Sequence, residues 1–106
     1  MTASRRSALL GLGALLAPGV SRAQAAWPAQ PIKMVVPYPP GALTDVLGRM
    51  FGERFQAAFG QPVIVDNKAG AGTLLGASAV AKQPADGYTL LLATVTTLCI
   101  SPALYA

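Results

Sequence analysis

Val35-Val36-Pro37-Tyr38-Pro39-Pro40-Gly41-Ala42-Leu43-Thr44-Asp45 is the stretch that decides the fold. The apolar run Ile32–Val36 leads into it and reads as a strand buried on both faces. Pro37 has no N–H to give to a sheet ladder, so regular pairing is expected to stop there. Pro39, Pro40 and Gly41 make a tight turn, and a helix is expected to start directly after it. The first N–H groups of a helix have no intrahelical acceptor, so a strand, a turn and a helix N-terminus together suit an anion. Gly41 lets backbone approach a ligand closely because it carries no Cβ.

Downstream the device repeats. Helical spacing predicts a helix from Thr44 to Phe59, with Thr44 as N-cap and Asp45 at the positive end of the dipole. Leu47, Met50, Phe51, Phe55 and Ala58 form one apolar stripe, expected to face the core, with Arg49, Glu53 and Gln56 on the other side. Gly60 is placed to end the helix. Val63-Ile64-Val65 is a second strand, Asp66 to Thr73 a second loop, and Leu74 to Lys82 a second helix rich in small residues. Gln83-Pro84 stops it, and Ala85-Asp86-Gly87 is a turn signal. Tyr88 to Ala93 is a third strand, and Thr94 to Leu98 a third loop.

The order is therefore βαβαβ, an α/β fold. A helix in each crossover implies parallel strands and right-handed connections. Ligands of such sheets sit beyond the carboxyl ends of the strands, near a topological switch point. All three loops lie on that edge. Ser101 reads as an N-cap and Pro102 as the first residue of another helix. Residues 26–106 are accordingly expected to be an incomplete N-terminal portion of a larger domain, since three strands leave little to cover both sheet faces.

Composition narrows the function. Met1–Arg6 is basic, Ala8–Ala17 is apolar, Pro18-Gly19 interrupts, and Ala23-Gln24-Ala25 is a small-x-small site. This is the layout of a secretory signal peptide over residues 1–25. The apolar run is too short for a membrane span, which needs about 20 residues, so the mature chain is not expected to be membrane-inserted. Ser4-Arg5-Arg6 resembles a twin-arginine signal, but Ala8 stands where a bulky apolar residue is usual, so ordinary export is expected. Removing the segment takes Arg5, Arg6 and Arg22 with it. Five cations and four anions remain, so nucleic-acid binding loses its support. With no histidine and Cys99 alone, no zinc site and no Cys-His nucleophile is expected; no paired acid–base constellation stands out either, so no catalytic residue and no cofactor is expected.

The matching stretches Trp27-Pro28 to Ile32, Val35 to Gly41, Thr44-Asp45, Gly60 to Val63, Asn67 with Gly70-Ala71-Gly72, and Asp86 to Leu91 run through nearly all of residues 26–106. Together they resemble the start of a Bug-type extracytoplasmic solute receptor, the substrate-binding protein of tripartite tricarboxylate transporters. The resemblance implies part of one lobe of a two-lobed periplasmic binding protein of the type II-like, Venus flytrap kind. It implies a small carboxylate as ligand and membrane transporter subunits as partners. One carboxylate would be held by the loops after the first and second strands. The candidate ligand-binding residues are Tyr38, Pro40, Gly41, Ala42, Thr44, Asp45, Asn67, Ala69, Gly70, Ala71, Gly72, Thr73, Thr94 and Thr96. The chain departs from the family pattern where Ala42 and Thr73 stand for glycines and Ala69 for proline. A positive φ at Ala42 or Thr73 would be strained.

Two other readings stand beside this one. Gly70-Ala71-Gly72 opens a helix after a strand, as in a dinucleotide fingerprint, which would make the chain a nucleotide-binding enzyme fragment. Yet Leu75 occupies the third glycine's place, and Leu90 to Leu92 stand where the acidic residue would be. The other is a truncated receptor product without function.

Overall fold

The computed structural model describes residues 25–105; the signal segment expected over residues 1–25 lies outside them except for Ala25. Three strands form one parallel sheet: β1 (Ile32–Val36), β2 (Val63–Asn67) and β3 (Thr89–Leu91), in the order β2-β1-β3. Helix α1 (Leu43–Phe59) joins β1 to β2, and α2 (Leu74–Ala81) joins β2 to β3. After β3 a π-helical turn, Thr96–Ile100, runs into α3 (Ser101–Leu104). The βαβαβ order and the parallel pairing agree with the sequence reading. Among the described residues no helix is long and apolar enough to cross a membrane.

β1 is central because it is the most apolar strand. Ile32, Val35 and Val36 are fully buried, and Met34 nearly so. Burying side chains of this kind stabilises by about 1.5–3 kcal/mol each, an upper figure since the unfolded chain already hides some surface. Lys33, expected within a doubly buried strand, is exposed. Register pairs Val36 with Asn67 and Val35 with Leu91. β2 runs two residues further than expected, so Asp66 and Asn67 belong to the strand. β3 is shorter than expected, starting at Thr89 and ending at Leu91.

Helix α1 presents a different face from the one its hydrophobic stripe suggested. Its buried positions are Asp45, Gly48 and Gly52. A Cβ on Gly48 would lie 2.8 Å from Val36 Cγ2, and one on Gly52 would lie 3.5 Å from Val63 Cγ1. The helix backbone thus rests directly on β1 and β2, a closeness that only small residues permit. Leu47, Met50 and Phe51 of the predicted core stripe are 38%, 58% and 46% exposed. Phe51 and Phe55, with Met34 and Leu90–Leu92, instead line an open apolar groove of about 320 Å³. Gly60 ends the helix as expected, its N–H reaching Gln56 O at 2.9 Å.

At the far end of the strands Trp27 packs edge-on to Phe59 at 5.3 Å between ring centroids and against Tyr88 at 5.9 Å. The Tyr88 hydroxyl accepts the Ala29 N–H at 2.8 Å, which ties the lead-in segment to the start of β3.

Candidate functional site

The site follows from the register. Val36 and Asn67 face each other at the carboxyl ends of β1 and β2, so the first and second loops leave the sheet side by side, about one strand spacing apart. Leu91 pairs with Val35, so the third loop leaves on the other flank of the first. β1 lies between the two strands that follow it, which makes its end the switch point of the sheet.

In the first loop Gly41 adopts φ +87°, which a residue with a Cβ adopts only under strain. Its N–H donates to Asp45 Oδ2 at 3.0 Å, and Ala42 N–H reaches Pro39 O at 3.3 Å. Both groups, expected to face a ligand, therefore have internal acceptors. Ala42 is the N-cap of α1 in ordinary extended conformation (φ −68°, ψ 161°), so losing the family's glycine there costs no strain. This corrects the expectation that Thr44 caps the helix. Thr44 lies inside the first turn, and its Oγ1 is buried without a partner among the described residues. Leu43 and Thr44 supply the α1 N–H groups that have no acceptor among the described residues.

Asp45 is the centre of the first loop. It is 4% exposed. Its Oδ2 accepts from Gly41 N–H and from Arg49 Nε at 3.2 Å, and its Oδ1 accepts from Asn67 Nδ2 at 3.0 Å. The Gly41 N–H, then the Asn67 amide and the Arg49 guanidinium, hold its carboxyl down at about 2, against the upward push of burial. It is therefore an ionised internal anion, and all its oxygens have protein partners. Asn67 Nδ2 also donates to Tyr38 O at 3.1 Å. Thus Asn67, expected to meet ligand, binds the first loop to the second.

The second loop ends in four consecutive residues of positive φ. Gly70 has φ +136°, followed by Ala71 at +49°, Gly72 at +58° and Thr73 at +78°. The strain anticipated at Thr73 is real: a β-branched residue seldom enters this region. Thr73 is 5% exposed, and its Oγ1 finds no partner among the described residues. Thr73 N–H returns to Gly70 O at 3.0 Å, while the N–H groups of Ala69, Gly70, Ala71 and Gly72 have no acceptor among the described residues. Consecutive N–H groups in left-handed backbone form a concave nest that favours anions. Lys68 pairs with Asp66 at 3.4 Å, and both stay partly exposed.

In the third loop Tyr38 OH and Thr94 Oγ1 share a hydrogen bond of 2.7 Å, so Tyr38 crosses from the first loop to the third. Thr94 in turn meets the buried Thr97 hydroxyl at 3.3 Å. Thr96 is half-buried beside them, and Pro40 is exposed at the tip of the first loop. Ser101 is not the helix cap expected. It is helical and buried, and its hydroxyl donates to Gly72 O, so α3 is fastened to the second loop. The Tyr105 ring closes on the same glycine, 3.0 Å from where a Cβ would be. No local signal foretold these two contacts, since their partners are about thirty residues apart. Among the described residues no group of three His, Cys, Asp or Glu could hold a metal.

Three loops thus present backbone N–H groups and hydroxyls, with both oxygens of the nearby carboxylate already taken by internal donors. Such a surface can hold an oxyanion. Among the described residues it holds neither an acid–base pair nor a nucleophile with its base.

Residues 47–106 match the family described as "Tripartite tricarboxylate transporter family receptor". Protein BugT of Bordetella pertussis is 54% identical over 68 residues, covering 64% of this chain and 21% of its own length. A solved periplasmic transporter superposes with a TM-score of 0.71 at 45% identity, over 74% of this chain and 26% of that one. Rpa4515 of R. palustris, solved with adipate, superposes at 0.63 with 40% identity, over 65% of this chain and 23% of that one. The chain therefore spans about a quarter of the length of the proteins it resembles. The family is one of receptors and one of the solved neighbours is a periplasmic transporter, on the binding-module side of the readings set out from the sequence.

Proposed function

Because the chain belongs to the tripartite tricarboxylate transporter receptor family, we propose that it contributes one wall of the carboxylate-binding cleft of a periplasmic solute receptor, exported by its residues 1–25. The receptor passes its ligand to membrane transporter subunits and carries out no chemistry on it. The observation that carries this reading is the run of acceptorless N–H groups from Ala69 to Gly72, set beside those of Leu43 and Thr44 by the Val36–Asn67 register.

A carboxylate offers lone pairs that match several converging N–H donors, and charge-assisted bonds of this kind are the stronger class. Each helix end adds about half a positive charge. At α1 part of that charge is already met by Asp45, so the second loop and α2 carry the larger share. Tyr38, Thr94 and Thr96 stand at the switch point, where they complete the wall with hydroxyls. The adipate in Rpa4515 makes an aliphatic dicarboxylate the first ligand to try.

Calorimetric titration with adipate, shorter dicarboxylates and NADH tests the proposal. Saturable heat with a dicarboxylate and none with NADH is expected. Saturable NADH binding with no carboxylate response would overturn it.

A further inference from the structure

Asp45 and Asn67 lie 22 residues apart, one in the first turn of α1 and the other at the end of β2. They are joined at 3.0 Å, and each also holds a piece of the first loop. Asp45 takes the Gly41 N–H, and Asn67 gives a second bond to Tyr38 O. The four groups form one circuit: Gly41 to Asp45, Asp45 to Asn67, Asn67 to Tyr38. The circuit encloses the turn Pro39-Pro40 and fixes it against the second loop.

A carboxylate that served only to favour the α1 terminus would act through the helix dipole and would need no partner on β2. The Asn67 contact does something else: it sets the separation of two loops that the sheet register leaves free to splay. Resting on the receptor reading above, we infer that Asp45, through Asn67, is the positioning residue of the site. It sets the separation of the Leu43–Thr44 donors from the Ala69–Gly72 donors, and it touches no ligand. Because the Gly41 N–H is occupied by this internal anion, the pair also keeps a second ligand carboxylate away from Gly41.

The test uses the chain itself with adipate as probe and reads affinity, thermal midpoint and amide exchange. Asp45→Asn keeps the shape but presents a donor where Gly41 N–H, Arg49 or Asn67 needs an acceptor. Asn67→Ala removes the tie. Each is expected to weaken adipate about tenfold, the loss expected from one misplaced hydrogen bond, at temperatures where the variant is fully folded. The double variant should lose no more than either single one, because both break the same circuit. Arg54→Ala, an exposed cation of the same helix outside the circuit, should leave adipate affinity unchanged. Independently of ligand, Asn67→Ala should speed exchange at the Gly41 amide, a residue it does not touch.

Wild-type affinity in folded Asp45→Asn and Asn67→Ala, or additive losses in the double variant, would overturn the inference. So would an unchanged Gly41 exchange rate. If the wild-type chain ignores adipate and every other carboxylate while Gly41 exchange still responds to Asn67→Ala, the receptor reading falls and the coupling of the loops stands.

Discussion

Thr73→Gly should make this protein more stable. Threonine sits there at φ +78° with its hydroxyl buried and unpartnered among the described residues. Holding a β-branched residue in that region costs about 1–3 kcal/mol, and a buried unsatisfied hydroxyl costs about 1–3 kcal/mol. Glycine removes both. Against this, glycine is looser in the unfolded chain by roughly 0.5–1 kcal/mol, and one buried methyl is lost at about 0.8 kcal/mol. Taking middle values, the gains exceed the losses by about 2 kcal/mol. Urea unfolding followed by far-ultraviolet circular dichroism reads this directly. With a slope of about 1–2 kcal/mol per molar for a chain of this size, the midpoint should rise by about 1–2 M. Thr73→Ala separates the two causes: it removes the hydroxyl but keeps a Cβ at positive φ, so it should recover about half the gain. Thr73→Ser, which keeps the hydroxyl and a Cβ at positive φ but gives up the methyl, should stay near wild type or slightly below it. A Thr73→Gly midpoint at or below wild type would refute the reasoning, since it would mean that neither the backbone nor the hydroxyl is under strain.

Three further outcomes follow from the geometry. The Asp45 carboxyl is lowered to about 2 in the folded chain, below its unfolded value near 4, so its stabilisation is fully present above about pH 4. It is lost as pH falls from there through about 2; urea midpoints across that range should drop in wild type and drop less in Asp45→Asn, and equal slopes would count against it. Gly76→Ala should destabilise by about 1–3 kcal/mol, because the new Cβ would lie 2.8 Å from Pro37 Cβ and 3.0 Å from Lys68 O; a thermal midpoint equal to wild type would show that α2 can lift off the sheet freely. Lys68→Ala should change carboxylate affinity by less than about 1 kcal/mol, as expected for an exposed charge, because its ammonium already pairs with Asp66; calorimetric loss of all binding would move the anion site from backbone to side chain.

The parts of the fold legible in the sequence are those set by neighbours along the chain. The apolar run of β1, the Pro-Gly turn after it and the glycine ending α1 are local signals, and each stands where expected. The three loops on one edge followed from the alternation of strand and helix alone. What could not be read was which face of α1 meets the sheet. Hydrophobic spacing pointed to Leu47, Met50 and Phe51, whereas the contact is made by Gly48 and Gly52, which have no side chain to give a signal. The cap of α1 was misplaced for a related reason: Ala42 performs it with backbone alone, and Thr44, the better cap by residue type, is two positions too late. In the site, the strain at Thr73 was legible as a departure from glycine. The internal use of Asp45 was not, because its partner Asn67 is brought in only by strand pairing.

The aromatic cluster of Trp27, Phe59 and Tyr88 lies where the strands begin, and the three loops lie where they end. One sheet length therefore separates the chain's single tryptophan from the site. Indole emission is then a clean gauge of whether the fold is intact and is blind to what occupies the loops. A change of emission on adding a solute would announce rearrangement of the entire sheet, whereas a silent tryptophan beside a strong calorimetric signal is the signature of a ligand received by a scaffold that does not yield. For engineering, the same separation makes the two ends of the strands independently tunable: the aromatic end can be altered for robustness and the loop end for ligand choice, with little conversation between them.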